Sequence, residues 1–105
     1  MGGKGAMDCV NRLTVIGPER ERRRFARHSD WDQVLHPVYL DLLEQSRDRH
    51  AWQFNTIQPP LDPLRELSRQ WNELTFLLDY DQEDKRWRGL AKARAGTLNH
   101  HRIRY

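Results

Sequence analysis

Cysteine is almost absent from this chain: Cys9 is the only one in 105 residues. A lone thiol excludes an internal disulfide and fits a reducing compartment, so a cytoplasmic protein is expected. No apolar run approaches the roughly 20 residues that a membrane span needs. The basic start, apolar middle and small-residue cleavage site of a secretory leader are missing as well. So are the glycine-rich phosphate loops GxGxxG and GxxxxGK[ST]. Gly17 is followed at once by Pro18, which has no backbone N–H to offer a phosphate. His28, His36, His50, His100 and His101 match no metal-ligand spacing with each other or with Cys9. Packing or surface histidines are therefore expected, with no metal site and no cofactor. Cys9, Ser46, Ser68 and the carboxylates of residues 79–84 have no partner at a spacing suited to nucleophilic or acid–base chemistry. No catalytic residue is singled out, and an enzyme is the weakest of the functional readings.

What the chain does have is charge, unevenly spread. Residues 1–28 carry seven Lys/Arg and three Asp/Glu, residues 29–84 carry four and twelve, and residues 85–105 carry seven and none. The segments stand at +4, −8 and +7, which sum to the net +3. Such segregation points either to pairing between segments or to a basic binding face. Four tryptophans supply much of the material for one modest core. The length suits a single domain over 9–105, with the glycine-rich residues 1–8 as a disordered tail or cloning remnant.

The hydrophobic pattern predicts the elements. CVNRLTVIG (9–17) reads as a strand closed by Gly17. Pro18 opens a helix with Glu19 and Glu21 in its first turn; the run Arg22–Arg23–Arg24 reads as a solvated helix face in preference to a second, separate basic site. Residues 29–37 read as a loop or a short turn anchored by Trp31. VYLDLLE (38–44) and HAWQFNTI (50–57) form a hairpin, although the first also suits a short helix. Trp52, Phe54 and Thr56 share one face of the second strand. Prolines 59, 60 and 63 lead into a helix capped by Asp62, with Leu64, Leu67 and Trp71 as its apolar stripe. ELTFLLDY (73–80) returns as a strand, and two more strands follow.

Two turns fix an expected register. A three-residue loop Arg94-Ala95-Gly96 spares Ala95 a positive φ and pairs Ala93 with Thr97. It opposes Arg88 to Arg102 and Arg86 to Arg104, with Trp87 against Ile103 on the other face. A four-residue loop 81–84 sets Leu78 against Trp87, Asp79 against Arg86 and Glu73 against Lys92. The resulting order β-α-β-β-α-β, plus a C-terminal β-hairpin, predicts an α+β ferredoxin-like βαββαβ sandwich: an antiparallel sheet with two helices on one face.

The residues CxNxLTVxGP (9–18), FxTxxPPLxxLxxLSxxW followed by ELTFxLxY (54–80), and Tyr80, Trp87 and Gly89 resemble the YubB-like family of plasmid- and phage-borne proteins. The resemblance runs over about 9–93 and thins between 29 and 50. The chain lacks the longer middle insertion of larger members and has DQEDK where they often carry a Pro-Gly turn. It implies a ferredoxin-like domain and a mobile-element setting, and brings no catalytic residues with it.

The expected function is a non-catalytic binding or assembly module, working with a protein partner or as a homodimer through a sheet face or edge. The alternative is nucleic-acid binding by the C-terminal hairpin through Arg86, Arg88, Lys92, Arg102 and Arg104. Asp79 and Glu73 are expected to neutralise Arg86 and Lys92, leaving Arg88, Arg102 and Arg104 without a local acid. Trp52 and Phe54 are expected in the core rather than on a base-stacking surface, and no RNA-recognition run such as KGFGFVxF is present.

Overall fold

A computed structural model describes residues 9–28 and 30–105, apart from the side chains of His28 and Asp32; the expected tail 1–8 lies outside the described residues. Six strands of eight residues each form one sheet: β1 (Cys9–Ile16), β2 (Val38–Gln45), β3 (Arg49–Thr56), β4 (Thr75–Gln82), β5 (Trp87–Arg94) and β6 (Thr97–Arg104). Their order is β2-β3-β1-β4-β5-β6, every neighbouring pair antiparallel. Among the described residues the α-helices are α1 (Glu19–His28), α2 (Trp31–Leu35) and α3 (Leu61–Gln70).

The ferredoxin-like sandwich with two helices on one face is therefore corrected. The described residues form mostly sheet, with three short helices, and β5 and β6 extend that sheet beyond β4. Part of the reason lies in α2, where a loop or a short turn was expected. Trp31 and Leu35, one helical turn apart, are both buried, so coiling residues 31–35 puts two large side chains into the core. The rest lies in α3, which leans toward the C-terminal hairpin: the Gly96 amide donates to Ser68 Oγ at 3.0 Å.

Strand alternation selects the buried face. Cys9, Leu13 and Val15 of β1, Trp52 and Phe54 of β3, Phe76, Leu78 and Tyr80 of β4 and Ala91 and Ala93 of β5 share one core with Phe25, Trp31, Leu35, Leu64 and Leu67 from the helices. Phe25 is the hub, with ring centroids 5.3–5.9 Å from Phe76, Trp71, Trp31 and Trp52. Trp52 and Phe54 are thus core.

Both C-terminal registers differ from expectation. The β5–β6 loop has two residues: Arg94 pairs with Thr97, and Ala95 takes φ 49° before Gly96 at φ 85°. Trp87 then faces Arg104, Gly89 faces Arg102 and Arg88 faces Ile103. The β4–β5 turn is a single 3-10 turn, Glu83–Lys85, ended by Arg86 at φ 58°. Gln82 pairs with Trp87 and Tyr80 with Gly89. The physical reason is a size match. Along β5 the inward residues Gly89, Ala91 and Ala93 are small, and opposite them stand Tyr80, Leu78 and Phe76. A Cβ on Gly89 would lie 2.3 Å from the Tyr80 ring, so only this pairing seats the tyrosine.

Asp62 is not the cap of α3. Pro60 stands at that position without a side-chain bond, and Asp62 sits in the first turn, 3.2 Å from Arg65. Arg22 is the larger correction. It is 1% exposed, whereas Arg23 and Arg24 pair with Glu19 and Glu21 in solvent. Its Nε donates to Gly17 O at 2.9 Å, Nη1 to Ser46 O at 3.1 Å and His50 Nδ1 at 2.8 Å, and Nη2 to Arg47 O. One guanidinium thereby ties the β1–α1 turn to the β2–β3 turn.

Candidate functional site

Helices cover one face of the sheet, and the other is open. By register the open face carries Val10, Arg12, Thr14 and Ile16 of β1, Gln53 of β3, Leu77, Asp79 and Asp81 of β4, and Arg88, Leu90, Lys92 and Arg94 of β5. Ile103 of β6 faces Arg88 and is 64% exposed, and Leu90 is 62% exposed. An apolar groove of about 380 Å³ runs across this face between β1, β4, β5 and β6, along Thr14, Leu77, Leu90 and His101.

The five cations expected to act together are divided by the register. Arg88 and Lys92 point to the open face. Arg102 and Arg104 belong to the opposite, helix-covered side of β6, and Arg86 sits in the left-handed turn. The expected Arg88–Arg102 and Arg86–Arg104 oppositions do not occur, nor do the Asp79–Arg86 and Glu73–Lys92 pairs. Asp79 instead faces Leu90, Leu77 faces Lys92, and Asp81 faces Arg88. Asp81 also accepts the Tyr105 hydroxyl at 2.7 Å, which raises the Tyr105 pKa above its ordinary value. Two useful residues went unseen in the sequence: Arg12 and Arg94, far apart along the chain, join Arg88 and Lys92 on the open face. Period-two alternation in β1 and β5 is the signal that locates them once the strand order is known.

The charges form rows. Asp41 and Glu44 lie on β2, opposite Gln53 and Ala51, and Glu44 pairs with Arg49 at 2.9 Å. That contact, with Ser46, holds the Glu44 carboxyl below its ordinary pKa. Arg12 follows on β1, then Asp79 and Asp81 on β4, then Arg88, Lys92 and Arg94 on β5. β2 forms one edge of the sheet. It bends at two irregularities in its pairing with β3 and exposes Leu40, Leu42 and, at 80%, Tyr39.

On the covered side, adjacent His100 and His101 face opposite ways: His101 borders the open groove and His100 meets Tyr80 at 2.6 Å, hydroxyl to Nε2. Burial first, then Arg102, lowers the His100 pKa, and burial raises that of Tyr80. The imidazole tautomer sets the direction of this bond: Nε2 accepts from the hydroxyl when the ring proton is on Nδ1, and donates to it otherwise. Cys9 is fully buried, and burial pushes its thiol up to about 11, protonated at neutral pH. Among the described residues no three His, Cys, Asp or Glu side chains converge on a metal-sized site. Among them, too, no helix is long and apolar enough to cross a membrane.

No family model, curated protein or solved structure matches this chain.

Proposed function

We propose that this protein is a non-catalytic assembly module that self-associates through the open face of its sheet. The observation that carries the reading is that face itself, with Leu90 and Ile103 about two-thirds exposed beside an apolar groove and between rows of opposite charge. The rows favour a second copy over other occupants. A two-fold axis lying along the strands sets the β2 edge of one sheet over the β5–β6 edge of the other. Asp41 of each copy, and Glu44 beside its own Arg49, then approach Arg88, Lys92 and Arg94 of its mate. A polyanion would meet Asp79 and Asp81 in the middle of the same surface.

Light scattering and sedimentation velocity test the reading. A dimer is expected, with Leu90→Glu and Ile103→Glu each shifting it toward monomer and high salt weakening it. A protein that stays monomeric at high concentration refutes it.

Nucleic-acid binding is the second reading, favoured by the cation row Arg88, Lys92 and Arg94 along β5. It gains no stacking platform, since Trp52 and Phe54 lie in the core. Labelled single-stranded and duplex oligonucleotides should shift at low salt and lose the shift in an Arg88→Ala/Lys92→Ala variant; unchanged binding sinks it. A mobile-element setting and a cytoplasmic location belong to the proposal too, resting on the YubB-like motifs and the single free cysteine.

A further inference from the structure

The helix-covered side carries a second feature, separate from the open face. Residues 34–36, 56–63 and the adjoining ends of β4, β5 and β6 enclose a cleft of about 740 Å³. That is the size of many small-molecule sites. Its walls are of two kinds. Leu35, Ile57, Pro60 and Leu61 make an apolar side, while Lys85 and Arg102 stand at the other, both against Trp87. The Arg102 guanidinium lies 3.7 Å from the centre of the indole ring and the Lys85 ammonium 5.4 Å from it. Neither cation has a carboxylate within ion-pair distance among the described residues.

Gln82 supplies the independent observation. It lines this cleft, is 2% exposed and stands directly opposite Trp87 in the sheet. Its Nε2 donates to Ile57 O at 3.2 Å, which fixes the amide orientation. Its Oε1 is buried and has no hydrogen-bond partner. A buried, unpaired carbonyl oxygen is costly, and a ligand N–H or O–H removes that cost.

We propose that the cleft binds a small organic anion: a phosphate or carboxylate held by Arg102 and Lys85, an apolar or aromatic body against Ile57 and Pro60, and an N–H or O–H given to Gln82 Oε1. The three groups come from strand ends and a proline-stiffened segment, so the site is largely formed before the ligand arrives.

The test is a 15N NMR and tryptophan-fluorescence titration with three probes: AMP, indole-3-acetate and inorganic phosphate. Expected is binding of AMP or indole-3-acetate with Kd on the order of 1 mM or tighter. It should be accompanied by shifts in the Gln82 side-chain amide and the Trp87 indole, with phosphate at least tenfold weaker. Arg102→Gln, at an exposed side chain, should weaken the organic probe at least tenfold while leaving the spectrum folded. Gln82→Leu should weaken it as well. No shift with any probe overturns the proposal. So does phosphate binding as well as the organic anions, or binding that Arg102→Gln leaves unchanged.

Discussion

Replacing Arg22 by methionine should cost the fold about 3–5 kcal/mol. Arg22 lies in a row of three consecutive arginines, yet it alone is buried. Methionine keeps most of the stem and removes the donors. Four bonds are lost: to Gly17 O, Ser46 O, Arg47 O and His50 Nδ1. Charge-assisted bonds contribute about 1.5–3 kcal/mol each, or roughly 6–12 in sum. Against that stands the penalty of holding a guanidinium out of water, several kcal/mol, which the variant escapes. Water can also reach the turn carbonyls of Ser46 and Arg47. The His50 nitrogen cannot be rehydrated so easily, because His50 is 1% exposed and stacks on Trp52 at 5.7 Å. A net of about 3–5 kcal/mol remains, a large share of the roughly 5–15 kcal/mol that holds a domain together. At about 4–8 °C per kcal/mol, the melting temperature should fall by more than about 12 °C. The assay is urea unfolding followed by tryptophan fluorescence, with Arg23→Met as control. That control loses one exposed pair to Glu19, worth about 0.2–1 kcal/mol. If the two variants unfold within about 1 kcal/mol of each other, the account of Arg22 as a clamp between turns is wrong.

Further outcomes follow from the same geometry. Burial first, then the Arg22 guanidinium, lowers the His50 pKa below 6.5, so the folded ring is neutral while the unfolded one still takes a proton. Stability from this site is complete above pH 6.5 and drains away as pH falls below it; a pH series of urea midpoints should show the slope, and His50→Asn should flatten it. Gly89→Ala puts a methyl 2.3 Å from the Tyr80 ring and should destabilise by about 2 kcal/mol or more in the same melts, overpacking typically costing 1–3. Ala95→Asn should stabilise by about 0.5–1 kcal/mol, because Ala95 is held at φ 49° and asparagine tolerates that region; a lower melting temperature contradicts the two-residue turn.

The places where sequence reasoning held are those where one side chain's periodicity decides the matter. Alternation in 50–57 puts Trp52, Phe54 and Thr56 on one face, and that face is buried. It failed where two segments had to agree. Residues 29–37 read in the sequence as a loop or a short turn anchored by Trp31, yet residues 31–35 coil into a helix, and Trp31 and Leu35 fill space that only the assembled sheet creates. For the β5–β6 turn local φ preference favours sparing Ala95, and for the β4–β5 turn a four-residue loop gives matched apolar and charged pairs. The strained turn wins because it fits the register in which Gly89 lies under Tyr80 and the alanines of β5 face the bulk of β4.

Sequence by itself therefore determined most of the strands, the approximate limits of α1 and α3, and the apolar faces of β3 and α3. All of these follow from spacing along one segment. Tertiary structure decided which arginine is buried, which cations share a face and where an acceptor is left without a donor. Arg22 differs from Arg23 only in what other segments bring to it. Arg88 and Arg102 part company because a turn one residue shorter moves β6 one step against β5, and in a pleated sheet one step exchanges the two faces.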